Sequence, residues 1–232
     1  MTFTWLTQGS FLFESNGVRI LVDPYMSDIV FEREGLKRLV DYPLTFDELK
    51  PDLLICTHDH IDHLDPETVT KIGKMYPDCV FAGPASCVNH FRKLNIAEEK
   101  IQLLRQEQDF LFRGFTLTAV PAFHSDPDAV GIVLEADGKR VYLSGDSLYD
   151  VALVNEVTKG CDMALVCING RLGNMSWQEA VRVVTQLEAE TALPMHYGLF
   201  AENTEDPQPF IDACLGNNIK SYAMNIGEKV CL

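Results

Sequence analysis

Thr57-His58-Asp59-His60-Ile61-Asp62-His63-Leu64-Asp65 is the stretch on which the reading of this chain turns. It follows an apolar run, residues 53–57, that reads as a short buried strand, and precedes Asp65-Pro66, an N-cap with proline at the first helical position. Three imidazoles and a carboxylate therefore crowd the loop where a strand ends, a rigid base with an open edge. Five of the six histidines belong to this pattern, because His124 in PAFHS and His196 in LPMHYG also follow strand-like runs. Asp146 follows VYLSG in the same way. Neutral imidazole and carboxylate are the donors that a borderline divalent cation takes at neutral pH.

His58, His60, Asp62, His63, His124, Asp146 and His196 make seven donors, more than the three protein ligands and a water of a single catalytic zinc. Two ions account for the number better. One division gives His58, His60 and His124 to the first ion and Asp62, His63 and His196 to the second, with Asp146 between them. Two ions about 3.5–4 Å apart activate water without a serine or cysteine nucleophile. Asp62 and Asp146 are the expected catalytic carboxylates. Thr57 and Asp59 are candidates to hold the outer ring nitrogens of the ligands.

Away from these residues, 1–232 reads as a single domain. Residues 2–8, 10–15 and 18–22 are strands, with Asn16-Gly17 as a turn. Residues 23–49 form a long excursion, either a cover over the site or a surface loop with a short helix. Helices are expected at 66–75, 86–93 and 151–159, after the capping box Ser176-Trp177-Gln178-Glu179, and after Asp206-Pro207. Further strands fall at 79–82, 101–104, 115–120, 131–135, 140–144, 163–168, 192–196, 221–226 and 229–232. Strands followed by strand–helix alternation give an α/β fold with two facing sheets and helices outside.

Composition narrows the function. Lys and Arg total 19 against 34 Asp and Glu, a net charge of -15, which opposes long nucleic acid and anionic membranes. No run reaches the about 18 apolar residues of a membrane span, and the first residues lack a basic start, so no export signal is expected. The seven cysteines form no CxxC pair and sit in apolar contexts, as free thiols of a reducing cytoplasm do.

His58-Asp59-His60-Ile61-Asp62-His63 resembles the HxHxDH motif of the metallo-beta-lactamase superfamily, and His124, Asp146 and His196 arrive in that family's order. The resemblance covers essentially the whole chain. It implies a four-layer αββα sandwich of two facing mixed sheets, built from two similar halves that would meet near residues 120–135. It also implies the division of ligands given above. The segment INGRLGNM, residues 168–175, resembles the L-ascorbate-6-phosphate lactonase branch. That implies hydrolysis of a small anionic or phosphorylated sugar lactone, with Arg171 receiving the anion and Asn169 or Asn174 orienting hydroxyls. Manganese goes with that branch and zinc with the wider superfamily. The same segment also reads as a glycine-rich turn with Arg171 in solvent. His90 reads as a helix residue or, with Arg92 and Lys93, as part of an anion pocket, and Tyr197 as packing or a substrate donor. Phosphodiester hydrolysis is the enzymatic alternative, and a non-catalytic, metal-stabilised binding protein is the alternative from another class. The expected partner is a small anionic metabolite, and a homo-oligomer is compatible with the sequence.

Overall fold

A computed structural model describes Met1–Leu232. Its first sheet has seven strands in the order β13-β1-β2-β3-β4-β5-β6. These are β1 (Thr2–Thr7), β2 (Ser10–Ser15), β3 (Val18–Val22), β4 (Leu53–Ile55), β5 (Val80–Gly83), β6 (Ile101–Leu103) and β13 (Lys229–Cys231). The second sheet has six, in the order β12-β11-β10-β9-β8-β7. They are β7 (Asp109–Phe112), β8 (Phe115–Pro121), β9 (Val130–Ala136), β10 (Lys139–Leu143), β11 (Met163–Cys167) and β12 (Thr191–Met195). Each sheet repeats one plan: an antiparallel meander, β1-β2-β3 or β7-β8-β9-β10, runs on into parallel strands, β4-β5-β6 or β11-β12.

Alternation along the strands separates the layers. Phe3, Trp5, Phe11, Phe13, Ile20, Val22, Leu53 and Ile55 face the second sheet and join Leu117, Ile132, Val141 and Leu165 in one large core. The intervening Leu12, Leu21 and Leu54 face the other way, onto α3 (Pro66–Met75) and α4 (Ala85–Lys93) through Val69, Ile72 and Phe91. On the far side of the second sheet, α5 (Trp177–Gln186) and α6 (Gln208–Gly216) bury Ala180, Val183 and Phe210. The result is the expected αββα sandwich. Asn16-Gly17 and Asp137-Gly138 both have positive φ, as the tight hairpins at those places need. No helix is long and apolar enough to cross a membrane.

Three expectations differ from the structure. Residues 151–159 form only a 3-10 turn, Val151–Leu153, because the Asn155 side chain accepts from the amides of Val157 and Thr158 and so competes with a helix. Residues 221–226 join no ladder; Asn225 turns the chain by bonding Glu228 before β13 docks on β1. The strand β7 was not foreseen, and it makes the chain pass between sheets after Leu103 and before Asp109, ahead of residues 120–135.

The excursion after β3 carries α1 (Ile29–Glu34) and α2 (Phe46–Leu49). Tyr25, Ile29 and Val30 pack on Leu199 and Phe200 in a small separate core. The Arg38 guanidinium lies 4.7 Å over the Tyr25 ring, and the Leu39 amide donates to the Leu199 carbonyl at 2.8 Å. The excursion is thus fastened across the site and supplies part of its wall.

Candidate metal centre

Six strand ends converge on one seam between the sheets. Gln8 follows β1, Asp23 follows β3, the His58–His63 loop follows β4, His124 follows β8, Asp146 follows β10 and His196 follows β12. His58 Nε2 lies 3.1 Å from His60 Nδ1, which lies 3.1 Å from His124 Nε2. Nitrogens about 2.0–2.1 Å from a shared tetrahedral ion stand about 3.4 Å apart, so this spacing suits a metal. Beside that group, His196 Nε2 lies 3.0 Å from Asp146 Oδ2 and 3.8 Å from Asp62 Oδ2. His63 Nε2 lies 3.4 Å from Asp146 Oδ1 and 3.7 Å from Asp62 Oδ2. The ligand atoms of His58, His60 and His124, and those of Asp62, His63 and His196, form two groups each compact enough to hold one ion. Buried His63 Nε2 and Asp146 Oδ1 have no hydrogen-bond partner in the protein, as atoms kept for a metal would have none.

Four of the five outward ring nitrogens are held, and that of His196, Nδ1, is buried without a partner. His58 Nδ1 meets Thr57 Oγ1 at 3.0 Å, His63 Nδ1 meets Asp23 Oδ2 at 2.8 Å, His124 Nδ1 meets the Gly173 carbonyl at 3.0 Å and His60 Nε2 meets Ser125 Oγ at 3.1 Å. Such bonds fix which nitrogen faces a metal. Thr57 supports a ligand as expected. Asp59 does not: its carboxylate takes the ring of His90 at 2.5 Å, which also removes His90 from any anion pocket. Asp23 is the support that sequence reading missed, and its own lone pairs are taken by the Thr57 amide and hydroxyl, both at 2.7 Å. Its signal was an aspartate between a buried strand and Pro24.

Charge is arranged unequally. Burial, then the neighbouring imidazoles, push the pKa of His58 well below its ordinary value, and burial with His124 and His63 lowers His60. For His63 burial opposes protonation, but Asp146, Asp62 and Asp23 outweigh it and hold the pKa well above the ordinary value. Burial likewise opposes charge on Asp146, yet His196 and His63 keep its pKa well below the carboxylate range.

A cavity of about 400 Å³ opens onto His60, Asp62, His124 and Asp146. Val30, Leu36, Ile61, Leu172 and Phe200 form its apolar wall, and Glu34, Asp59, Ser125 and Asn203 its polar part. No lysine or arginine lines it. The three residues expected to touch substrate are placed otherwise. Gly170, Leu172 and Gly173 all have positive φ, and these turns send Leu172 into the cavity and Arg171 away from it. The Arg171 guanidinium donates to the carbonyls of Asn169 and Glu202 and stands 3.9 Å from Glu205. Buried Asn174 donates to Asp146 Oδ2 at 2.9 Å, and buried Asn169 to Asn203 Oδ1 at 2.7 Å. Both asparagines position other groups. Tyr197 packs on Trp5, ring centroids 5.0 Å apart.

The chain and its fold are similar to those of known proteins. A UPF0173 metal-dependent hydrolase of Methanopyrus kandleri is 31% identical over 230 residues, covering 90% of each chain. Igni18, a metallo hydrolase of the archaeon Ignicoccus hospitalis, has a similar solved structure (TM-score 0.79, 24% identity, 99% of this chain and 97% of that one). An isothiocyanate hydrolase from Delia radicum gut bacteria has the same fold (TM-score 0.80, 19% identity, 100% and 99% covered). The family model for the beta-lactamase superfamily domain matches residues 18–197, a span that holds every histidine and aspartate of the cluster. With its strand-end ligands in two metal-sized groups under an open cavity, the chain belongs to the beta-lactamase superfamily as one of its metal-dependent hydrolases.

Proposed function

We propose that the protein hydrolyses a small lactone or a related ester-like substrate at an electrophilic carbon. Two divalent ions, Mn2+ or Zn2+, would serve it, one held by His58, His60 and His124 and the other by Asp62, His63 and His196, with Asp146 available to both. The observation that carries this reading is the cavity, whose floor bears the ligands and whose wall is apolar. Held there, such ions would supply a lower proton affinity for bound water and polarisation of a carbonyl oxygen. The protein supplies the rest. Asp62, partly exposed at the floor, offers a carboxylate oxygen to take a proton from attacking water and return it to the leaving oxygen. Asn174 fixes the Asp146 carboxylate from behind. Leu36, Leu172 and Phe200 exclude water around the acyl group, while Ser125 and Asn203 can orient its polar atoms.

The lining also revises the substrate. With Arg171 turned away and no lysine or arginine among the residues that line the cavity, a phosphate on the lactone finds no protein cation outside the ligand histidines, so an uncharged acyl group fits better. An isothiocyanate, the substrate named for one protein of this fold, likewise presents an electrophilic carbon on an uncharged group. Six free buried cysteines support a reducing compartment such as the cytoplasm. The test is a panel of neutral lactones, esters, an isothiocyanate, phosphorylated lactones and phosphodiesters, run on stripped protein refilled with defined ions. Turnover of neutral carbonyl substrates above the charged ones is expected. Turnover confined to phosphodiesters would overturn the reading, and none at all would favour a metal-stabilised binding protein.

A further inference from the structure

The turn between β1 and β2 enters the second group of ligands. Gln8 is 1% exposed and holds φ at 49°, a left-handed conformation that costs a side-chain-bearing residue about 1–2 kcal/mol. Its carbonyl is clamped by the His196 amide at 3.1 Å and the Trp5 indole at 3.0 Å. The next residue, Gly9, lies so close to His63 that a Cβ there would meet the ring at 2.8 Å. The turn therefore lies against two of the three ligands of that group, and the Gln8 side chain points at the third. One end of its carboxamide lies 3.1 Å from Asp62 Oδ2 and 3.1 Å from His196 Nε2, while Oε1 at the other end is buried without a partner.

We infer that Gln8 is a further metal ligand, giving its carboxamide oxygen to the ion held by Asp62, His63 and His196; this rests on the two-ion reading above. The spacing of 3.1 Å to two donors equals that within the first group, His58 Nε2 to His60 Nδ1 to His124 Nε2. Turning the carboxamide about its last bond exchanges oxygen and nitrogen in the same space. With a cation present the oxygen end is the one attracted, because an amide nitrogen has no free lone pair to give. Asp62, His63, His196, Asp146 and Gln8 then offer the second ion more than four protein donors, one of them a neutral hard oxygen. That favours a six-coordinate ion such as Mn2+ over tetrahedral Zn2+.

The test needs no substrate. Metal-stripped full-length protein is titrated with Mn2+, following free Mn2+ by electron paramagnetic resonance, and separately with Co2+, following visible absorption, which strengthens as coordination number falls. Wild type is expected to bind two equivalents. Gln8→Ala should keep the first and lose at least tenfold affinity for the second, with stronger Co2+ absorption. Gln8→Glu, of the same size and carrying an oxygen, should keep both, and it guards against a folding defect in the alanine variant. Wild-type affinity and spectrum in Gln8→Ala overturn the inference. So does weaker binding with an unchanged Co2+ spectrum, which would make Gln8 only a donor to Asp62. One equivalent in wild type removes the two-ion reading itself, and a protein inactive on every substrate leaves the titrations to stand or fall alone.

Discussion

Gly173→Ala reaches the first group of ligands through the backbone. Gly173 has φ +90°, and a Cβ on it would stand 2.8 Å from His124 Nδ1 and 2.9 Å from Cε1. Ordinary contact begins near 3.4 Å, so the ring must retreat by about 0.6 Å (3.4 − 2.8). It has little freedom, because the Gly173 carbonyl itself holds Nδ1 at 3.0 Å. Metal–ligand distances tolerate about 0.2 Å. His124 Nε2 should therefore leave the position 3.1 Å from His60 Nδ1, and the first ion should lose one of its three imidazoles. The left-handed conformation costs alanine about 1–2 kcal/mol as well, or roughly 2–8 °C of melting temperature in a chain of this size. Gly160→Ala separates the two effects: its φ is +64° and a Cβ there meets nothing within 4 Å. Metal content after dialysis against defined ions, turnover and thermal melting are measured on both. Both variants should melt earlier, and only Gly173→Ala should lose metal and activity. Wild-type metal content in Gly173→Ala, or equal metal loss in Gly160→Ala, would refute the reasoning.

Metal uptake should release protons unevenly: His58 and His60, with lowered pKa values, are already neutral at pH 7, whereas His63, with its raised value, must shed a proton. Calorimetry in buffers of different ionisation heat should find about one proton released with the second ion and little with the first, and a fall from pH 8 to 6.5 should weaken the second ion more. Asp23→Asn puts an amide N–H against either His63 or Thr57, so second-ion affinity should drop about 10–100-fold, read from metal content. Asn174→Leu removes the donor to Asp146 and should cost about 1–3 kcal/mol of transition-state stabilisation, read as a lower kcat with both ions retained.

What the sequence shows of this site depends on how far the interacting residues lie apart in the chain. His58, His60, Asp62 and His63 are legible because one loop carries them, and His124, Asp146 and His196 because each ends an apolar strand. Gln8 carries no such mark: its partners Asp62 and His196 are 54 and 188 residues away, and only the packing of two sheets brings them within reach. INGRLGNM misleads for a related reason. Its chemistry suggests Arg171 as the anion contact, but three positive-φ residues in the turn decide which side chain faces the cavity, and they select Leu172. The β7 strand is not legible because it has only four residues: Phe110 and Phe112 turn inward while Asp109 and Leu111 face solvent, and so short an apolar run has no period to read. The helix at residues 151–159 was overruled locally, by an asparagine side chain.

The repeated plan of the sheets explains why the site forms where it does. In each sheet the last strand of the meander hands over to an aspartate, Asp23 after β3 and Asp146 after β10. The two carboxylates approach the same imidazole from opposite ends: Asp23 Oδ2 lies 2.8 Å from His63 Nδ1, and Asp146 Oδ1 lies 3.4 Å from Nε2. Only one nitrogen of that ring can face the cavity, so matching positions are driven into different roles. Asp23, saturated by Thr57 and His63, becomes a support, whereas Asp146 keeps an unpartnered oxygen for a cation. Neither sheet presents both ends of the ring by itself. A centre of this kind therefore requires the seam, and a substitution that loosens the packing of Phe11 or Ile132 across it should disturb the metals before it unfolds either sheet.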